Sequence, residues 1–183
     1  MTIHPTALAL PAQPATFAAL QAMQSIILGE CLVGGASPFA ALSSADASRY
    51  GVANAVFLGR PKDFKDTYLP QCCLWIPPET EAVSLSGYAG RASAEFEALI
   101  LVYVDLRSDW YAAEQQILSI RDALLPALLH HERLGGGIST VIESEAQPGR
   151  GLCYEQIGGS EYRCFEARWW VRQQWSITGG RLL

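Results

Sequence analysis

Alternation of apolar and polar side chains is sharpest over Glu95–Leu106. Phe96, Ala98, Ile100, Val102, Val104 and Leu106 fall on one face, and Glu95, Glu97, Leu99, Leu101, Tyr103 and Asp105 on the other. A period of two is that of a β-strand. One face is wholly apolar and the second mixed, as in a sheet covered by helices on one side. The second face is greasy enough to invite cover in an assembly. The same period predicts a return strand over Glu161–Ile177. There Phe165, Ala167, Trp169, Val171, Trp175 and Ile177 share one face, with Trp169 and Trp175 read as core. Glu166, Arg168, Arg172 and Gln174 share the other with Trp170. At about 3.3 Å per residue this strand outruns a typical one, so it is expected to bend or project. Weaker alternation over Ile138–Glu145 and a run at Leu152–Ile157 predict further strands, and Gly158-Gly159 a tight hairpin turn.

Helical spacing governs two other stretches. Over residues 15–29, Phe17, Leu20, Met23 or Gln24, and Ile27 form a stripe, with Thr16 as the N-cap and Gly29 as the stop. Over residues 109–130, Ile117, Leu124 and Leu128 form a stripe widened by Leu118, Leu125 and Leu129, and Ser108 or Asp109 caps it. Pro126 predicts a kink or an end, because proline lacks the N–H and clashes with the preceding turn. Gly135-Gly136-Gly137 then breaks the chain.

The remaining segments are shorter. Pro5, Pro11 and Pro14 make residues 1–14 an irregular arm, either a loose end or an arm that docks on a neighbouring subunit. Residues 33–55 read as loop with a turn of helix at Ala45–Tyr50. Val52–Leu58 and Gln71–Ile76 read as strands, Asp63–Tyr68 as an exposed polar segment, and 77–92 as a loop or loose hairpin. This order gives an α+β domain over 15–183: a mostly antiparallel sheet flanked by an N-terminal helix and one long central helix, ending in a long β-hairpin.

Composition narrows the function. Half of the 183 residues are hydrophobic and 17% charged, which is globular rather than disordered. The net charge of −5 lacks the basic excess of a protein that grips DNA by its phosphates, and an acidic face would keep passing DNA from sticking. Cys31, Cys72, Cys73, Cys153 and Cys164 are odd in number and have no Cys-x-x-Cys spacing. They read as buried free thiols, not a disulfide framework or zinc site. With no basic leader and no apolar run of about 20 residues, a soluble protein made in the cytoplasm is expected.

The chain carries few signs of chemistry. There is no Gly-x4-Gly-Lys-Ser/Thr and no Gly-x-Gly-x-x-Gly motif. His130, His131 and Glu132 are adjacent, whereas ligands on one helical face need spacing of three or four. Cys153 or Cys164 with His131 is the one conceivable nucleophile–base pair, and no local motif supports it. Glu95 with Glu97, and Glu143 with Glu145, share strand faces and read as solvated. A non-enzymatic protein with no cofactor or metal is therefore expected. Arg168, Trp170 and Arg172 are the candidate interface, since an aromatic flanked by arginines on an open sheet face suits a protein contact. A tryptophan packed under a loop or stacked by arginine fits the same residues equally well.

The pattern resembles the tail terminator (tail-completion) proteins of long-tailed bacteriophages. The resemblance rests on the N-terminal helix, the run "VFLGRPKDFKDTYLPQCCLWIPPE" at 56–79, the strand and helix "FEALILVYVDLRSDWYAAEQQILSIRDALLPAL" at 96–128, and the closing "YRCFEARWWVRQQWSI" at 162–177. It implies a homohexameric ring on the head-proximal end of the tail tube, with the tube protein and a head-closure or connector protein as partners. It implies a place in the virion after assembly in the host cytoplasm, and no catalytic residue. A head-closure or other minor tail or neck protein, and a small-molecule-binding domain unconnected with phage, remain as alternatives.

Overall fold

Three long strands form the spine of the molecule. The computed structural model describes residues 15–59, 66–77, 82–84, 91–106, 109–131, 134, 140–178 and 181–182. The expected arm at 1–14 and the triple glycine lie outside these residues. So do the side chains of Glu143, Glu145 and Trp175.

In chain order the elements are α1 (Ala15–Glu30), α2 (Ser44–Tyr50), β1 (Val56–Leu58), a 3-10 turn (Asp66–Tyr68), β2 (Gln71–Trp75), β3 (Ala82–Ser84), β4 (Arg91–Asp105), α3 (Trp110–Leu129), β5 (Thr140–Ile157), β6 (Ser160–Thr178) and β7 (Arg181–Leu182). The sheet runs β1-β2-β4-β6-β5, with β3 added to β4 and β7 to β6. Among the described residues only β1 and β2 pair in parallel, so the sheet is mixed and mostly antiparallel. The fold is the expected α+β arrangement with two flanking helices and a long C-terminal hairpin.

The predicted alternation of β4 sets its layers. Phe96, Ala98, Ile100, Val102 and Val104 are fully buried. Opposite them on β6 stand Val171, Trp169, Ala167, Phe165 and Arg163. Helices α1 and α3 cover this face, and α3 contributes Ala113, Ile117, Ile120, Leu124, Ala127 and Leu128 to the core. Each large aliphatic side chain buried this way is worth about 1.5–3 kcal/mol against exposure. Strand β6 does not hang free, for β4 pairs with it from Arg91↔Ser176 to Asp105↔Tyr162.

Several boundaries differ from the sequence reading. Helix α1 starts at Ala15, so Thr16 lies inside it and is not its cap, and it runs past Gly29 to Glu30. Met23 takes the core position, while Gln24 donates to the Val56 carbonyl at 2.6 Å. Phe17 is over a third exposed because its position turns away from the stripe of Ala19, Leu20, Met23 and Ile27. Asp109, not Ser108, caps α3, accepting from the N–H groups of Tyr111 and Ala112. The helix continues past Pro126 into one last turn, where the proline carbonyl accepts from His130 N–H. The stripe shifts as well: Leu118 and Leu125 are half-buried and Leu129 is exposed, their places taken by Ala113, Ile120 and Ala127.

The two strands expected at 138–145 and 152–157 are one strand, β5, carrying a bulge. Gln147 faces Arg168 and Gly151 faces Glu166, so three residues of β5 (148–150) span one of β6 (Ala167). Pro148 and Gly149 fall in the bulge, where no ladder bond is required of them. At the hairpin tip Gly158 (φ 59°) and Gly159 (φ 85°) supply the two positive angles of a two-residue turn.

Candidate interaction surface

The sheet face turned away from α1 and α3 carries the charge. On β6 it presents Tyr162, Cys164, Glu166, Arg168, Trp170 and Arg172; on β4 the residues opposite are Asp105, Tyr103, Leu101, Leu99, Glu97 and Glu95. One end of this face is capped by α2 and the 3-10 turn. Tyr50 packs edge-on against Phe57, and the Tyr162 hydroxyl donates to Asp66. The other end carries all three candidate interface residues.

Arg172 stands opposite Glu95 and donates from Nε to its carboxylate at 2.7 Å. Its guanidinium carbon lies 4.7 Å from the centroid of the Trp170 ring. Arg168 reaches Glu97 at 3.3 Å and Glu166 at 3.2 Å. The arginine-stacked arrangement is therefore the one adopted. It leaves Trp170 half-buried and both arginine side chains 39% exposed. A pre-ordered, charge-compensated aromatic strip results, whose exposed pairs contribute about 0.2–1 kcal/mol each to the fold. Its value lies in holding Trp170 in one orientation. Register also places Glu143 opposite Arg172 and Glu145 opposite Trp170, on the β5 side.

Glu166 is the buried anchor of this strip, with its side chain 2% exposed. Burial alone would push its carboxyl pKa up, but hydrogen bonds from Arg150 and Arg168 outweigh that and hold it below the ordinary value. Arg150 comes from the bulge and binds Glu166 through both its guanidinium and its backbone N–H.

A second surface lies across the sheet, on α3. Trp110 is 71% exposed and Tyr111 58% exposed, their rings edge to face at 6.0 Å. One turn on, Glu114 accepts two bonds from Arg163, at 2.7 and 2.9 Å, and Arg163 in turn lies 4.5 Å from the Tyr154 ring centroid. The Arg163 hydrogen bonds hold the Glu114 pKa below its ordinary value.

The other residues raised by sequence separate. Cys153 and Cys164 are cross-strand partners on the charged face. His131 bonds Glu30 at 2.6 Å, joining the ends of α3 and α1 on the opposite side of the sheet. The suspected thiol–imidazole pair is not assembled. Glu95 and Glu97 are each engaged by an arginine and so are not solvated as expected. Among the described residues no three His, Cys, Asp or Glu side chains converge as metal ligands. Among the same residues no helix is long and apolar enough to cross a membrane.

Two structural centres escaped the sequence reading. The segment at 63–68 was expected to be merely exposed, yet Tyr68 donates to Asp46 at 2.6 Å and Asp66 receives Tyr162. Asp46 also accepts from Ser43 Oγ at 2.8 Å, while Ser43 Oγ accepts from Asp46 N–H at 3.2 Å. A Ser-x-x-Asp spacing at 43–46 was the available signal. No protein-family model matches the chain, and no curated protein matches it.

Proposed function

We propose that this chain is a structural, non-catalytic subunit of a ring that completes a phage tail, with sister copies, the tail tube and a head connector as its partners. In this reading it assembles in the host cytoplasm and remains at the head-proximal end of the tail in the virion. One observation carries the reading: two aromatic surfaces on opposite sides of one sheet. Trp170 is held by Arg172 on the open face, and Trp110 with Tyr111 projects from α3. A closed ring of identical subunits with head-to-tail contacts needs two different patches per subunit. Large, rigid aromatics with arginine beside them are the residues that dominate such contacts.

The proposed mechanism is steric. One ring face docks on the last tube ring, and the other lacks the tube's docking surface, so growth stops. A net charge of −5 gives DNA passing the ring no bulk attraction to the protein.

Light scattering coupled to size exclusion, followed by negative-stain imaging with tail tubes, tests this. The expected result is a defined oligomer, probed best as a ring seated on tube ends. Trp110→Ala and Trp170→Ala should each reduce assembly while leaving the circular dichroism spectrum intact. A monomer that ignores tail tubes overturns the reading.

A further inference from the structure

Cys153 and Cys164 stand directly opposite each other across β5 and β6, with side chains on the same face. Their spacing follows from the hairpin turn. Ile157 and Ser160 close the two-residue turn, and a turn of this kind closes with a hydrogen-bonded pair. Antiparallel pairs then alternate between hydrogen-bonded and non-hydrogen-bonded. Counting back through Gln156↔Glu161, Glu155↔Tyr162 and Tyr154↔Arg163 makes Cys153↔Cys164 hydrogen-bonded. Such a pair has Cα atoms about 5.5 Å apart, inside the disulfide range. The Cys164 thiol is held in place on this face, donating to the Tyr162 carbonyl at 3.5 Å. Cys72 and Cys73 are neighbours in β2 and point to opposite faces, and Cys31 is buried against the Ile120 carbonyl.

We propose that Cys153 and Cys164 form a reversible redox site, closed into a cross-strand disulfide by a small disulfide oxidant. The proposal does not depend on the assembly reading above. Cys153 is half-buried and Cys164 fully buried, so the oxidant meets Cys153 first. Burial pushes the Cys153 thiol up and nearby Arg150 pulls it partway back, whereas burial pushes Cys164 much further up. The Cys153 thiolate attacks one sulfur of the oxidant, forming a mixed disulfide and releasing one thiolate. The Cys164 thiolate then attacks the Cys153 sulfur and expels the second. Two electrons pass to the oxidant, and the two cysteine protons end on the two released thiols. Directly opposed Cβ atoms in a sheet lie about 4.5–5.5 Å apart against about 3.8 Å in a relaxed disulfide. Closure therefore draws the strands together, and the bond formed is strained and readily reduced.

The test is incubation of the full chain with oxidised glutathione, then intact mass and non-reducing peptide mapping. The expected product has lost two hydrogens, links the Cys153 and Cys164 peptides within one chain, and reverts with dithiothreitol. Cys164→Ala should instead hold glutathione on Cys153, and Cys153→Ser should take up none at Cys164. A wild-type chain that keeps glutathione on Cys153 without closing, links to another chain, or stays unmodified overturns the proposal. The wild-type map decides even where a variant fails to fold.

Discussion

Glu166 takes both the guanidinium and the backbone N–H of Arg150, and the β5 bulge is folded around that contact. The bulge places its extra residues opposite Ala167 and so swings Arg150 onto the carboxylate of the next residue. Arg168 completes the charge balance at 3.2 Å. A buried charge is tolerable only when its partners are in place, so side chain and bulge depend on each other.

Glu166→Ala removes the centre, leaving Arg150 without its carboxylate and Arg168 with Glu97 alone. The expected loss is about 2–4 kcal/mol in urea unfolding, with faster amide exchange across 147–151. Glu166→Gln keeps the shape and some hydrogen bonding and should cost less. Equal losses for the two variants would show that shape alone, not charge, holds the bulge.

The sheet was legible where its determinants are local. Strand β4 could be read because one face, Phe96 through Val104, is apolar without exception, and β6 because Phe165 through Val171 repeats the pattern. The long helix was legible from Asp109 and the spacing of Ile117, Leu124 and Leu128. Strand β5 was not, because Pro148 and Gly149 look like a break unless Glu166 is known to lie beneath them. Likewise Asp66 gives no hint of Tyr162, which lies 96 residues away. Alternation alone puts Arg168, Trp170 and Arg172 on one face of β6. Their pairing with Glu95 and Glu97 needed the strand register, which side-chain alternation alone leaves open.

Acid should expose both carboxylates held by arginine. Glu166, whose burial is outweighed by its arginine bonds, and Glu114, bonded by Arg163, titrate below the ordinary glutamate value of 4.5. A depressed folded-state pKa adds stability that is complete above the unfolded value and is lost as pH falls through the folded one. The urea midpoint should therefore hold steady from pH 7 to about 5 and fall below about 4.5, the usual range for glutamate protonation. A Glu114→Gln, Glu166→Gln chain should show a shallower fall. An unchanged slope would remove these residues as the source.

The cap of α2 offers a separate handle. Ser43, Asp46 and Tyr68 form a closed set, with Asp46 buried at the centre and Tyr68 reaching back from the 3-10 turn. Ser43→Ala should cost about 1 kcal/mol, the usual loss of an N-cap. Tyr68→Phe should cost about 1.5–3 kcal/mol, since it loses the bond donated to the Asp46 carboxylate and the one accepted from Ser43 N–H. Because both partners share Asp46, the double variant should lose less than the sum. Strict additivity in thermal and urea unfolding would mean that the two bonds act independently.

The clamp between Arg163 and Glu114 distinguishes charge pairing from simple packing. Arg163 is nearly buried on β6, and its two bonds to Glu114 are its link to α3. Glu114→Leu alone leaves that guanidinium with the Cys153 carbonyl at 3.1 Å and the Tyr154 ring, neither of which neutralises it. A loss of about 2–3 kcal/mol is expected, because removing one partner strands the other's charge. Arg163→Met with Glu114→Leu removes both charges and keeps apolar volume between sheet and helix. That double variant should recover to within about 1 kcal/mol of the parent, since replacing a whole ion pair by apolar groups is often nearly neutral. Urea unfolding of the four chains in the cycle measures the coupling. If the double variant is as unstable as the sum of the single ones, Arg163 acts through Tyr154 and the Cys153 carbonyl, and the helix is held to the sheet by its apolar stripe alone.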